Sequence, residues 1–180
     1  MKLIETPIAD LYVIQPDVYK DDRGLFFESF STPKFKQLGI DCEFVQDNQS
    51  NSQIGVLRGL HFQKPPFAQA KLVRVSNGSV LDIAVDIRTN SATFGKWFSC
   101  VLSQENNLMM FIPEGFAHGF ITLEENTVFL YKCSKVYNKE SESGIIWNDP
   151  ELNINWGVSN PVLSEKDVLF TTLEQSQHYF

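Results

Sequence analysis

Long hydrophobic runs are missing from this chain. No stretch approaches the ~18 apolar residues of a membrane helix, and Met1-Lys2-Leu3-Ile4-Glu5-Thr6-Pro7 contains no signal-peptide core. A soluble protein is expected. Cysteine is scarce: Cys42, Cys100 and Cys133 are odd in number, widely spaced and form no C-x-x-C pair. That pattern argues against a disulfide framework or a thiolate zinc site and fits a reducing cytoplasm. Histidine is limited to His61, His118 and His178, the last close to the C-terminus, so a three-histidine metal site is not expected. Positive charge is also short. Lys and Arg total 15 against 22 Asp and Glu, a net charge of -7, which argues against nucleic-acid or anionic-membrane partners. An anionic small ligand would need a local basic cluster instead. Repeats, low-complexity tracts and Gly/Ser/Pro linkers are absent, so residues 1–180 read as a single domain, long enough to bury ~70% of its unfolded surface.

What is present is mostly β-type pattern. Leu81, Ile83, Val85 and Ile87 alternate with Asp82, Ala84 and Asp86, the period-two signature of a strand with one apolar face. Asn77-Gly78 after Lys71-Leu72-Val73-Arg74-Val75 is a two-residue hairpin signal. Further strands are expected over 94–102, 108–112, 115–123 and 127–134, with Glu124-Glu125-Asn126 as a turn. Many short strands at this spacing predict an all-β sandwich or barrel. Helix signals are brief: Thr32 as N-cap with Pro33 in the first turn and Gly39 as stop, then Ser164 before Glu165-Lys166-Asp167. Helices should be short and peripheral.

Gly55-Val56-Leu57-Arg58-Gly59-Leu60-His61-Phe62-Gln63 sets an Arg and a His inside a strand-like run. Their parity is opposite, so both can line one pocket only if a bulge near Gly59, or a strand end before His61, re-aims one of them. A satisfied core histidine explains the segment equally well. Pro113-Glu114-Gly115-Phe116-Ala117-His118-Gly119-Phe120 places another His between small residues, which admit a ligand or mark a bulge. Tyr131 shares a strand face with Phe129 and Cys133, and Lys71 with Val73 and Val75. A core phenol and a snorkelling lysine are the ordinary alternatives. Asp167 reads locally as part of a capping box and nothing more. Single segments yield candidates but do not join them.

Taken together, the segments resemble one family. Arg23-Gly24-Leu25-Phe26-Phe27-Glu28, Gln46-Asp47-Asn48-Gln49-Ser50, Arg58-Gly59-Leu60-His61-Phe62-Gln63 and Gln69-Ala70-Lys71-Leu72-Val73 are similar to successive signatures of the dTDP-4-dehydrorhamnose 3,5-epimerases. Val85-Asp86-Ile87-Arg88, Thr93-Phe94-Gly95, Ile112-Pro113-Glu114-Gly115-Phe116-Ala117-His118-Gly119-Phe120, Trp147-Asn148-Asp149-Pro150 and Leu163-Ser164-Glu165-Lys166-Asp167 continue the match in order. The resemblance implies a cupin-type double-sheet jelly roll, a homodimer, a dTDP-linked 4-keto-6-deoxy sugar as substrate, and no metal or organic cofactor. The H-x-H pair of metal-binding cupins is missing, since Phe62 and Gln63 follow His61.

The resemblance also implies roles. His61 is the base, Asp167 its orienting partner, Tyr131 the acid on the opposite face of the sugar, and Lys71 the group that stabilises the enolate oxygen. His118 and Arg58 bind around the sugar and diphosphate. Arg23, Phe26, Glu28, Gln46, Asp47, Asn48, Glu142 and Lys166 match substrate and nucleotide contacts, some reaching across the dimer. Asn138-Lys139-Glu140-Ser141-Glu142-Ser143 offers two glutamates for one such role. These residue types suit the chemistry. A proton beside a ketone is acidic because the carbanion spreads onto oxygen, and a fixed ammonium in a dry pocket stabilises that oxygen strongly. Histidine titrates near working pH, and a carboxylate fixes its tautomer. Epimerisation at one carbon only, ketoisomerisation of a related dTDP-sugar, a metal-dependent cupin and a silent sugar-binding module are the rival readings.

Overall fold

The structure, a computed structural model, describes residues 1–176 and 180, so His178 lies outside the described residues. Two sheets face each other. Strands β1 (Lys2–Glu5), β2 (Tyr12–Gln15), β5 (Gln46–Ser52), β7 (Lys71–Asn77), β10 (Met109–Ile112) and β12 (Thr127–Cys133) form a six-stranded sheet in the order β1-β2-β10-β7-β12-β5. Strands β6 (Leu57–Gln63), β8 (Ser79–Asp86), β9 (Trp97–Ser103), β11 (Phe116–Thr122) and β13 (Glu142–Gly144) form the second, ordered β13-β6-β11-β8-β9. The pairings within both sheets are antiparallel. This is the cupin-like double sheet of the sequence reading. A hairpin of β3 (Tyr19–Asp21) and β4 (Gly24–Phe26) stands apart from both, exposed along its whole length.

Side-chain alternation divides the apolar residues into three layers. Val73, Val75, Met110, Ile112 and Phe129 from one sheet meet Val80, Ala84, Leu102, Phe116 and Phe120 from the other. Phe129 and Phe120 stack with ring centroids 4.0 Å apart, and truncating such a buried ring costs about 3–5 kcal/mol. Outside the five-stranded sheet, Leu57, Leu60, Ile83, Val85 and Ile121 pack under a C-terminal layer that includes Ile145, Leu152, Trp156 and Leu173. Outside the six-stranded sheet, Ile14, Leu72, Met109 and Phe111 are covered by Phe35 of helix α1 (Thr32–Gln37).

Several local expectations change. Asn77-Gly78 makes no hairpin: β7 and β8 belong to different sheets, and Gly78, at φ 75°, turns the chain from one to the other while packing against Thr127. The apolar runs either side looked like hairpin arms because both strands are buried. The supposed polar face of β8 is buried as well, with Asp82 and Asp86 inside, because that face meets the six-stranded sheet while the C-terminal layer covers the other. The strand expected from 94 begins at Trp97. Thr93 and Ser91 instead fold back so that their hydroxyls donate to Asp86 Oδ2, at 2.7 and 2.6 Å, and Arg88 completes the ring around that carboxylate. The N-cap of α1 is Ser31, not Thr32, with Pro33 in the first turn as expected. No helix follows Ser164. The segment is a turn, because Val168 and Leu169 lie exposed and offer no apolar face to bury.

Candidate active site

One end of the space between the sheets stays open as a cavity of about 260 Å³. The six-stranded sheet lines it with Lys71, Tyr131, Phe129, Cys133, Gln46 and Ser50, and the five-stranded sheet with Arg58, His61, Gln63, His118, Phe120 and Glu142. Strand parity explains most of this wall. Lys71 points inward with Val73 and Val75, and Tyr131 with Phe129 and Cys133.

Arg58 and His61 reach the same cavity through the bulge their parity demands. Strand β11 pairs His118 with His61 but Phe120 with Arg58. Gly119 therefore faces both Gly59 and Leu60. Gly59 takes φ 142°, and a Cβ on it would sit 2.4 Å from Gly119 Cα. Two glycines face to face are what allow the backbones to close here.

Asp167 is where tertiary structure adds most. It is 2% exposed, and its Oδ1 meets His61 Nε2. Its other oxygen accepts the Ser164 hydroxyl at 2.8 Å, while its own amide donates to that hydroxyl at 3.2 Å. The capping turn is real and the orienting contact is added to it. Burial acts to raise the Asp167 pKa, but the His61 hydrogen bond and charge, with Ser164 and Lys166, outweigh it and hold the carboxyl below its usual value. His61 Nδ1 has no protein partner among the described residues. The C-terminal layer that delivers Asp167 is tied down by Asp149, whose oxygens accept the amides of Leu152 at 2.9 Å and Leu173 at 2.6 Å.

Lys71 is buried, and burial draws its pKa down against the opposing pull of Cys133, Asp82 and Glu142. Its amine donates to the His61 carbonyl at 3.4 Å. Burial pushes the Tyr131 phenol up, and Arg58 pulls the other way. Among the described residues, Arg58 donates only to Ser52 Oγ, at 3.2 and 3.3 Å, and no carboxylate occupies its guanidinium. His118 Nε2 lies 2.9 Å from Asp82 Oδ1, and burial lowers the His118 pKa despite that carboxylate. Glu142, rather than exposed Glu140, lines the cavity, bonded to Lys166 and to the Tyr137 hydroxyl.

Tyr137, an exposed ring among the cavity-lining residues, escaped the sequence reading, as did Cys133 and Gln63 as wall residues. Nothing local distinguished them. Other expected residues stand away from the cavity in the single chain. Arg23 pairs with Asp21 on the hairpin, Phe26 is 70% exposed there, and Glu28 pairs with Lys34. Asp47 faces outward to Lys132. Asn48 bridges Gln46 and the Cys133 sulfur. Among the described residues, no three His, Cys, Asp or Glu side chains cluster closely enough to hold a metal ion.

A half-buried His61 held by buried Asp167 on one wall, with a phenol and an ammonium on the other, suits proton transfer beside a carbonyl, and the comparison with known proteins agrees. Residues 5–175 match the family described as dTDP-4-dehydrorhamnose 3,5-epimerase. The chain belongs to the dTDP-4-dehydrorhamnose 3,5-epimerase family. An epimerase of that name from Shigella flexneri is 52% identical over 169 residues, 93% of each chain. The crystal structure of the Elizabethkingia anophelis dTDP-4-dehydrorhamnose 3,5-epimerase superposes with a TM-score of 0.94 at 49% identity, covering 99% of both chains. The Legionella pneumophila epimerase, solved with dTDP-4-keto-L-rhamnose, gives 0.93 at 47% identity, covering 98% of this chain and 94% of that one. Within this epimerase-family fold, two of the family-like segments are structural. Val85-Asp86-Ile87-Arg88 with Thr93 builds the ring around Asp86, and Trp147-Asn148-Asp149-Pro150 anchors the layer that carries Asp167.

Proposed function

We propose that this cavity converts dTDP-4-dehydro-6-deoxy-D-glucose to dTDP-4-dehydro-L-rhamnose by inverting C3 and C5, the isomerase reaction of its family and a step toward dTDP-L-rhamnose. The observation that carries this reading is the opposition of the His61–Asp167 pair on one sheet to Tyr131 on the other. His61, its Nε2 engaged by Asp167, takes the proton from the carbon next to the C4 ketone through Nδ1. The electron pair moves onto the ketone oxygen, and the Lys71 ammonium stabilises the enolate in surroundings of low dielectric. Tyr131 then gives its proton to the opposite face of the same carbon. Arg58 stabilises the phenolate left behind.

The remaining residues bind. Arg58 and Lys166 supply positive charge and donors for the diphosphate in a chain whose net charge is negative, and His118 offers a ring nitrogen to the sugar. Tyr137, with Gln46 and Glu142 nearby, gives a planar surface for the nucleotide base. Arg23, Phe26 and Glu28 serve a neighbouring copy in a homodimer, a reading supported by the detached hairpin with exposed Tyr19, Leu25 and Phe26. Asp47 and Asn48 lie on the edge strand β5, which is paired only with β12. The three free thiols suit a cytoplasmic setting. No helix among the described residues is long and apolar enough to cross a membrane.

Proton NMR of the keto-sugar nucleotide with enzyme in deuterated water tests the reading. Deuterium should enter at both C3 and C5 with formation of the L-sugar, and the reaction should survive prolonged chelation. Exchange at one centre only, or restoration by an added divalent ion, would overturn it.

A further inference from the structure

Strand β8 carries a carboxylate that the reaction as described leaves unused. Asp82 is 0% exposed. Its Oδ1 lies 2.9 Å from His118 Nε2, and its Oδ2 has no hydrogen-bond partner among the described residues. Val80, Ala84, Leu102 and Phe120 form the core around that strand. Burying a charge in such a place is costly, and an apolar residue of similar size would pack at least as well. The register shows what stands in front of it. Strand β11 sets His118 opposite His61 on one side and Ala84 on the other, so Asp82, on the same face as Ala84, backs His118. Among the described residues, His118 Nδ1 has no protein partner and is not one of the buried orphan atoms, so it opens to the cavity.

We propose that Asp82 is a positioning residue for the epimerisation: it accepts Nε2–H of His118, leaving Nδ1 as an acceptor toward the sugar, and sustains the positive charge of Lys71. The groups facing Lys71 support the second part. They are His61 on β6, Asp82 on β8, His118 on β11, Cys133 and Tyr131 on β12, and Glu142 on β13. Burial raises the Cys133 thiol pKa, which keeps that group neutral. Glu142 is committed to Lys166. Among the described residues, Asp82 pairs only with His118 and makes no ion pair with a Lys or Arg.

The inference rests on the epimerase reading of the cavity, and its test separates the two. Asp82→Asn keeps the shape and removes the charge. Turnover should fall at least tenfold while dTDP affinity by calorimetry stays within twofold. Lys71 works protonated, so the alkaline limb of the rate profile should move to lower pH. In the wild-type free enzyme, nitrogen-15 NMR should show His118 as the neutral Nε2–H tautomer, which an Nδ1 acceptor toward the sugar requires. A folded Asp82→Asn with wild-type turnover and pH profile overturns the proposal, and so does a wild-type Nδ1–H ring. Should the variant fail to fold, the wild-type spectrum decides. A wild-type enzyme without any exchange would instead defeat the epimerase reading.

Discussion

Replacing Gly59 by alanine asks whether the bulge aims the site. The added Cβ would lie 2.4 Å from Gly119 Cα, whereas ordinary contacts begin near 3.4 Å, so β6 and β11 must part by about 1 Å, the difference between these distances. Neither partner can yield by rotating a side chain, because the obstacle is backbone. The φ of 142° adds strain, worth about 1–3 kcal/mol for a residue with a Cβ. Arg58 and His61 flank the bulge, and a displacement of about 1 Å at positioned groups costs about 10²-fold in rate. Gly55→Ala is the control. It carries a similar φ penalty at 77° but meets nothing within 4 Å, so it should lose about 1 kcal/mol of stability and keep its turnover. Deuterium incorporation at C3 and C5, with a thermal melt of each variant, makes the comparison. A folded Gly59→Ala that turns over as fast as Gly55→Ala would refute the reasoning.

Three further outcomes follow from the site and its supports. His61→Asn should lose at least about 10²–10⁴ in exchange at both carbons, Asp167→Asn less, and the double variant scarcely more than His61→Asn, because the pair acts as one unit. Strictly additive losses would place Asp167 elsewhere. Tyr131→Phe should keep exchange from the His61 face while inverted product falls sharply, and wild-type yield would assign the acid to another group. Burial tends to raise the Asp86 pKa, but Arg88, Ser91 and Thr93 hold it below its usual value, so its stabilisation is full above the unfolded carboxylate pKa and is lost as pH falls through the folded one. Asp86→Asn should therefore cost about 3 kcal/mol near neutrality and flatten the loss of melting temperature in acid; an unchanged acid profile would contradict this.

Much of the wall was legible in the sequence because strand parity is a local rule. Alternation put Tyr131 with Phe129 and Lys71 with Val73, and the opposite parity of Arg58 and His61 required the irregularity that Gly59 and Gly119 provide. The family resemblance supplied the roles and the double-sheet fold. Tertiary structure decided what lies between distant segments. Asn77-Gly78 joins different sheets, a choice made by which strands bury which faces and not by the turn residues themselves. Asp82 stood opposite the one apolar face that alternation showed, and a period-two pattern cannot say that residues 145–173 cover that apolar side while the other side meets the second sheet. Asp167 looked like part of a helix cap and instead closes a turn on Ser164; only chain closure across 106 positions brings its other oxygen to His61. Local pattern determines which way a side chain points along its strand, whereas the partner it meets depends on packing between segments far apart in the chain.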